Sequence, residues 1–147
     1  MQVAKGESWV EDDVPDDRSL VFNTPKGLVL LTGCGHAGII NTLEYARAFL
    51  RPAPVDAALG GFHLFRANDE QLDWTADQLK GFQTAQILGA HSTGIESVYR
   101  LRRRMGLDRR SCGVGTVGAP YSLKDGMQTG PLAANSCSYN PRNRPKG

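Results

Sequence analysis

The sequence predicts an α/β fold in which helices pack on a sheet, with the element order ββαβαβαβ. Short apolar runs of strand length alternate with segments whose apolar residues recur at helical spacing. Three of the strand-length runs end close to glycine, and the three histidines of the chain all lie at those points. The sequence therefore indicates a functional site at these strand ends.

The composition is that of one ordinary soluble domain. Of its 147 residues, 40% are hydrophobic and 22% charged, with a net charge of +2, which is too small to indicate a nucleic-acid or membrane partner. No apolar run approaches the roughly 18 residues that a membrane span needs. Three scattered cysteines do not indicate a disulfide framework, and the first residues lack the apolar segment of a secretory signal. We therefore expect a cytoplasmic protein.

The chain divides into three predicted parts. Residues 1–17 are predicted to be a polar, aspartate-rich lead-in, residues 18–117 the folded domain, and residues 118–147 a flexible tail rich in Gly, Pro and Arg. The domain should begin with a β-hairpin over Arg18–Thr32, because Pro25 and Gly27 supply turn chemistry between two apolar runs.

Three helices and three more strands follow. Apolar residues at helical spacing predict the first helix, namely Ile39, Ile40, Leu43, Ala46 and Leu50. The second should start at Asn68, with Gln71 at capping-box spacing, and end at Gly81; the third should run from near Gly94 to Gly106. The intervening strands are predicted at Val55–Leu59, Ala85–Leu88 and Ser111–Val117.

The histidines occupy equivalent places in successive βα units. His36, His63 and His91 are separated each time by about one such unit, and ligand sites in open α/β sheets lie beyond the carboxyl ends of the strands. A single histidine is more typical of a core or surface position than of a ligand, but three at equivalent strand ends favour a metal site. Cys34, between two glycines, is predicted to be a ligand or to lie close to one.

Other polar groups leave alternatives open. Ser92 and Thr93 could bind a substrate anion, although capping of the third helix is the better interpretation. The arginines from Arg100 to Arg110 are more typical of a solvated helix face than of a phosphate or nucleic-acid site. The chain contains no nucleophile elbow, phosphate-binding loop or dinucleotide-binding glycine motif.

Three segments together resemble a known family. DDRSLVFNTPKGLVLLTGCGHAGIINTL, LGGFHL and LGAHSTG are similar, in this order, to the C-terminal half of metallo-β-lactamase-fold hydrolases. Within that family they most resemble the dihydropterin-ribofuranosyl-aminobenzene-phosphate synthase-like subgroup. The resemblance covers about Asp16 to Val117, with Gly35 in place of the subgroup's usual serine and Ser92 in place of its usual cysteine.

The resemblance implies an αββα sandwich with a two-metal site, usually zinc, where the two sheets meet. It implies that His91 is the final metal-ligand histidine and that Cys34 stands where most relatives have a bridging aspartate. His36 is the nearby imidazole typical of the subgroup, so either Cys34 or His36 is the expected ligand, and His63 binds metal or substrate. The activity implied is metal-activated attack of water on a small ester, amide or phosphoester.

One departure from the family limits these expectations. The His-x-His-x-Asp-His motif, which supplies most ligands of the first metal, is absent from this chain. We therefore expect the chain alone to be a weak or inactive enzyme, with a sheet face exposed for a partner chain or for self-association. Alternatives are a subunit of a split protein, a non-catalytic module, and a pterin-related transferase like the named subgroup.

Overall fold

The computed structural model describes residues 2–5, 8–11, 17–116 and 119–128. Within these ranges the chain forms a five-stranded sheet, three helices and two short hairpins. The strands are β1 Gln2–Lys5, β2 Ser8–Glu11, β3 Ser19–Thr24, β4 Gly27–Thr32, β5 Val55–Gly60, β6 Gln86–Gly89, β7 Cys112–Val114, β8 Tyr121–Ser122 and β9 Gly126–Met127. The helices are α1 Ile39–Phe49, α2 Asp69–Gly81 and α3 Ile95–Met105.

The sheet has the strand order β3-β4-β5-β6-β7. β3 and β4 form the predicted antiparallel hairpin, whereas β4 to β7 run parallel. A bulge interrupts the β4–β5 pair, because Leu28 pairs with Val55 while Val29 pairs with Ala57, which leaves Asp56 as the extra residue. Parallel strands bring their carboxyl ends to one edge, so the loops after β4, β5 and β6 lie side by side, and the predicted α/β order is confirmed.

The helices cover one face of the sheet. Fully buried side chains from β4, β6 and all three helices form the main core on that face, among them Leu30, Leu43, Leu79, Ile87 and Leu101. Each such leucine or isoleucine stabilises the fold by about 1.5–3 kcal/mol relative to an exposed side chain.

The opposite face has less cover. Val29, Ala57 and Leu59 are buried there with half-buried Leu88 and Tyr121 packed against them. Towards β3, however, Leu20 is 61% exposed, and Phe22 and Leu31 are also exposed. We call Leu20, Phe22 and Leu31 the open sheet face, because all three side chains are exposed and none of the described elements covers them.

Two hairpins lie in parts of the chain that were predicted to have little structure. β1 and β2 pair within the lead-in, and β8 and β9 pair within the predicted tail. The second hairpin is attached to the domain by long-range bonds: the Met127 amide donates to Gln86 Oε1 (2.7 Å), and Lys26 Nζ donates to the Leu123 and Lys124 carbonyls. Its strands have two residues each, too short for a periodic pattern to reveal. The rest of the predicted lead-in and tail lies outside the described residues.

The predicted ends of α2 and α3 are confirmed. Asn68 Oδ1 accepts a bond from the Gln71 amide and Gln71 Oε1 accepts one from the Asn68 amide, both at 2.9 Å, which completes the capping box. Gly106 ends α3 in the left-handed conformation (φ 73°), where a residue with a Cβ would be strained.

A row of ion pairs joins α2 to α3. Arg100 makes two hydrogen bonds to Asp73 (2.7 and 2.9 Å), and Arg104 makes two to Asp77 (3.0 and 2.7 Å). Arg100 also contacts Asp69 at 2.7 Å. Two of the arginines predicted to form a solvated helix face are thus paired with carboxylates of the neighbouring helix.

Replacement of Asn68 by Ala should lower the free energy of unfolding by about 1 kcal/mol, because the Gln71 amide at the start of α2 loses its acceptor, Asn68 Oδ1. Urea unfolding followed by circular dichroism measures this loss. Asn68→Ser, which keeps a capping oxygen, should restore most of it; an equal loss in both variants would contradict the assigned cap.

The α2–α3 ion pairs should make stability depend on pH below 4. Hydrogen bonds from Arg100 and Arg104 lower the pKa of Asp73 and Asp77 below the ordinary value of 3.8. Their contribution is therefore fully present above pH 3.8 and is lost as pH falls through the lower folded pKa. Urea midpoints measured between pH 6 and pH 2.5 should fall more steeply in the native chain than in Arg100→Gln/Arg104→Gln. Identical pH profiles would show that these pairs contribute nothing.

Candidate functional site

Three loops meet at the carboxyl edge of the sheet: residues 33–38 after β4, 61–68 after β5 and 90–94 after β6, here called the site loops. Gly61 lies where they meet. A Cβ on Gly61 would stand 2.5 Å from both the Gly33 and the His91 carbonyl oxygens, and 3.0 Å from Cys34 Cα. Real Cβ atoms do not approach other atoms so closely, so only glycine permits this packing.

Backbone hydrogen bonds fix the loops to one another. The Gly61 amide donates to the Gly33 carbonyl at 2.9 Å, and the Ala90 amide donates to the Gly60 carbonyl at 2.8 Å. The pairing of β4, β5 and β6 thus extends past the strand ends. The backbones that carry the three histidines are consequently held in register with the sheet.

Ser92 and Thr93 tie the third loop to the other two. Ser92 Oγ donates to the Cys34 carbonyl at 2.9 Å, and Thr93 Oγ1 accepts a bond from the Phe62 amide at 3.1 Å. The predicted capping role is wrong, because the N-cap of α3 is Gly94, with no side-chain cap bond. Thr93 is fully buried, so a direct contact with substrate remains a prediction only for the half-buried Ser92.

His36 and His63 are brought into contact. Their ring centroids lie 4.8 Å apart with an interplanar angle of 82°, and both side chains are exposed. His63 has a left-handed backbone (φ 51°), which is uncommon for a residue with a Cβ and occurs often at functional sites. Its ring also meets the edge of Phe65 at 5.3 Å. The two imidazoles therefore project together from the first and second site loops.

Cys34 and His91 flank the same glycine. Cys34 is half-buried, with its Cα facing Gly61, and the His91 carbonyl faces Gly61 while the His91 side chain is exposed. All four predicted ligands thus come from loops at one edge. In the part of the chain that the structure describes, no three His, Cys, Asp or Glu side chains converge as a metal-binding group. The donors suit zinc by type, but they do not by themselves complete a site.

Asp17 supports the first site loop and was missed at the level of sequence. Its carboxylate accepts bonds from the amides of Gly35 (3.2 Å) and Ala37 (2.9 Å), on either side of His36. The sequence predicts that Asp17 belongs to the polar lead-in. The β3–β4 hairpin could have indicated this role of Asp17. Ser19 pairs with Thr32, so the residues just before Ser19 must lie beside the loop that follows Thr32.

Two curated proteins of Methanocaldococcus jannaschii are similar to this chain, whereas no protein-family model matches it. The uncharacterized protein MJ0448 is 37% identical over 100 residues, which are 68% of this chain and 36% of that protein. The 7,8-dihydropterin-6-methyl-4-(β-D-ribofuranosyl)-aminobenzene-5'-phosphate synthase is 34% identical over 88 residues, 60% of this chain and 30% of the synthase. The chain thus spans about a third of the length of these relatives.

Comparison with a solved structure identifies the fold. The crystal structure of Tm1679, a metal-dependent hydrolase of the β-lactamase superfamily, superposes with a TM-score of 0.65 at 25% identity, over 78% of this chain and 42% of that one. This chain has the fold of the C-terminal half of a metallo-β-lactamase. The family resemblance and the αββα half-sandwich expected from the three sequence segments are thereby confirmed.

Among the described residues, no helix has the length and apolar character that crossing a membrane requires. The site loops occupy the sheet edge at which the resemblance placed the site. Whether Cys34 or His36 is the ligand, and whether His63 binds metal or substrate, stay open predictions.

Replacement of Gly61 by Ala should destabilise the fold by about 1–3 kcal/mol, because the new Cβ forces the site loops apart. Urea unfolding measures the loss. Gly81→Ala is the matched control, since a Cβ there meets nothing within 4 Å, and it should change stability by less than about 1 kcal/mol. Equal effects at the two positions would contradict the close packing at Gly61.

Proposed function

We propose that this chain forms one wall of the active site of a metal-dependent hydrolase. The observation that supports this most directly is the contact between the His36 and His63 imidazoles on site loops held in register at the sheet edge. The match to Tm1679, itself a metal-dependent hydrolase, supports the same class of activity. A small molecule with an ester, amide or phosphoester bond is the proposed substrate.

Zinc is the metal we propose for this site. Imidazole and thiolate are the donors that zinc prefers, and His36, His63, His91 and Cys34 all belong to the site loops. Because fewer than three donors converge within the described residues, the remaining ligands must come from elsewhere. The role of this chain is to hold its imidazoles and its thiol at one edge in a fixed backbone frame.

The open sheet face indicates where the remaining ligands come from. Leu20, Phe22 and Leu31 form an exposed apolar strip across the β3–β4 hairpin, on the face opposite the helices. In a sandwich of two sheets this face packs against the second sheet. We propose that the other half of the fold covers it, whether as further chain, as a partner chain carrying a His-x-His-x-Asp-His segment, or through self-association of this chain.

A pterin-related transferase is the second candidate. It is favoured by the 34% identity to the M. jannaschii synthase, whose named product joins a methyl-dihydropterin to an aminobenzene that carries ribofuranosyl phosphate. The same loops would then hold substrate rather than activate water. Formation of this product, as opposed to hydrolysis of simple esters, separates the two candidates.

A non-catalytic module that binds an acidic partner through its arginines receives less support. Arg100 and Arg104 are already engaged by Asp73 and Asp77, and Arg102 and Arg103 contact the ring of Tyr99. The carboxylates offset the charges of Arg100 and Arg104, which reduces the charge available to an acidic partner. Steeply salt-dependent binding to nucleic acid would favour this function instead.

The chain alone should bind zinc weakly and show little or no hydrolysis. A chimera that joins it to the part of MJ0448 that it does not cover should bind zinc tightly and hydrolyse a chromogenic ester or phosphodiester. Competition with a chromophoric chelator measures zinc affinity, and absorbance measures turnover. In the chimera, His91→Ala should abolish activity and weaken zinc binding by about 10-fold or more, as expected for loss of a ligand.

Arg103→Gln is the control variant, because it changes an exposed side chain on α3 that is remote from the site loops. It should leave zinc affinity and turnover unchanged. Strong zinc-dependent hydrolysis by the isolated chain, abolished by His91→Ala, would contradict the half-site. A folded chimera that binds no zinc would contradict the proposed metal centre.

A further inference from the structure

A cleft of about 540 Å³ lies between α1 and α2 and reaches the imidazoles at the sheet edge. His36 and His63 line it at that edge, the start of α1 lines one side, and the first turns of α2 line the other. Its volume lies within the range of about 300–1,000 Å³ that is typical of small-molecule sites. The part of the cleft beyond the imidazoles contains none of the proposed metal ligands, so the proposed metal site gives it no function.

Trp74 presents an aromatic surface in that part of the cleft. Its side chain is 55% exposed although it is the largest apolar group of α2, whose other large apolar residues Leu72 and Leu79 are buried. An exposed indole that lines a cleft is suited to stacking on a planar ligand. Gln71 and Thr75, which also line the cleft, add polar groups beside it.

Arg66 gives the cleft its charge. Within the described part of the chain its guanidinium is within ion-pair distance of no carboxylate, and it is held over the Phe65 ring at 5.1 Å. The Phe65 and His63 ring centroids are 5.3 Å apart, so the Phe65 ring contacts both the guanidinium and one imidazole of the pair. No Asp or Glu lines the cleft. A cation with no opposing carboxylate favours an anionic ligand.

We propose that this cleft binds the non-reacting part of the substrate, an aromatic ring that carries an anionic group, with the ring on Trp74 and the anion on Arg66. The assignment rests on the proposed function in one respect, that His36 and His63 mark the reacting end. It adds the substrate class to that function. Aromatic stacking and the arginine contact would each add affinity for such a substrate. A simple ester without an aromatic ring and an anionic group would gain neither contribution.

Phenylphosphonate, which has the ring and the anion but no bond to hydrolyse, is the probe. Titration of the 147-residue chain, followed by isothermal calorimetry without metal, should show binding. Inorganic phosphate, which lacks the ring, and benzyl alcohol, which lacks the anion, should each bind at least about fivefold more weakly. Arg66→Gln should weaken phenylphosphonate binding about tenfold, and Trp74→Leu about fivefold.

Two variants outside the cleft serve as matched controls. Arg103→Gln removes another exposed arginine, and Phe49→Leu removes another exposed aromatic ring, from the far end of α1. Both should bind the probe as the native chain does. Equal binding by all four variants, equally tight binding of inorganic phosphate, or no binding of phenylphosphonate would overturn the proposal. Because no metal or turnover is involved, none of these results bears on the proposed metal centre.

Discussion

The close approach of three backbones at Gly61 is the constraint on which the rest of the site depends. The Gly33 and His91 carbonyl oxygens both approach the position that a Cβ on this residue would take, at distances that leave no space for a side chain. The hydrogen bonds of the parallel strands continue through this point into the loops. The positions of Cys34, His36, His63 and His91 are therefore consequences of sheet pairing, and they do not require a ligand to set them.

This constraint explains how half of a fold can keep an ordered site wall. The helix-covered face has its own buried core, and the site loops are secured by Ser92, Thr93 and Asp17 within this chain. The opposite face is covered only in part, by the β8–β9 hairpin next to Val29 and Leu59. The core and the contacts that hold the site loops are thus formed within the described chain, whereas the proposed source of the remaining metal ligands lies on the open sheet face.

The sequence was most informative where the cause of a structure is local. The turn at Pro25, the capping box at Asn68 and the end of α3 at Gly106 were all predicted, because each depends on residues a few positions apart. Strand-end glycines predicted the edge at which the histidines lie, and three short segments carried the family resemblance that Tm1679 confirms.

Features that depend on long-range contacts were not accessible in the same way. Asp17 acts on amides 18 and 20 residues further along the chain, and Ser92 reaches back 58 residues to Cys34. Nearby residues alone favoured helix capping by Ser92 and Thr93. Their hydroxyls instead make hydrogen bonds to the backbones of the other two site loops. The β8–β9 hairpin was missed for a related reason, since its attachment to Gln86 and Lys26 has no local signal.

Amide hydrogen exchange in the isolated chain tests most directly whether the site wall is ordered without the other half of the fold. The amides of Gly61, Phe62 and Ala90 donate the bonds that join the site loops, and residue-resolved NMR can follow each one. The account predicts protection close to that of β5, with no metal added. Exchange of these three amides at the rate of an exposed loop, while β5 stays protected, would contradict it.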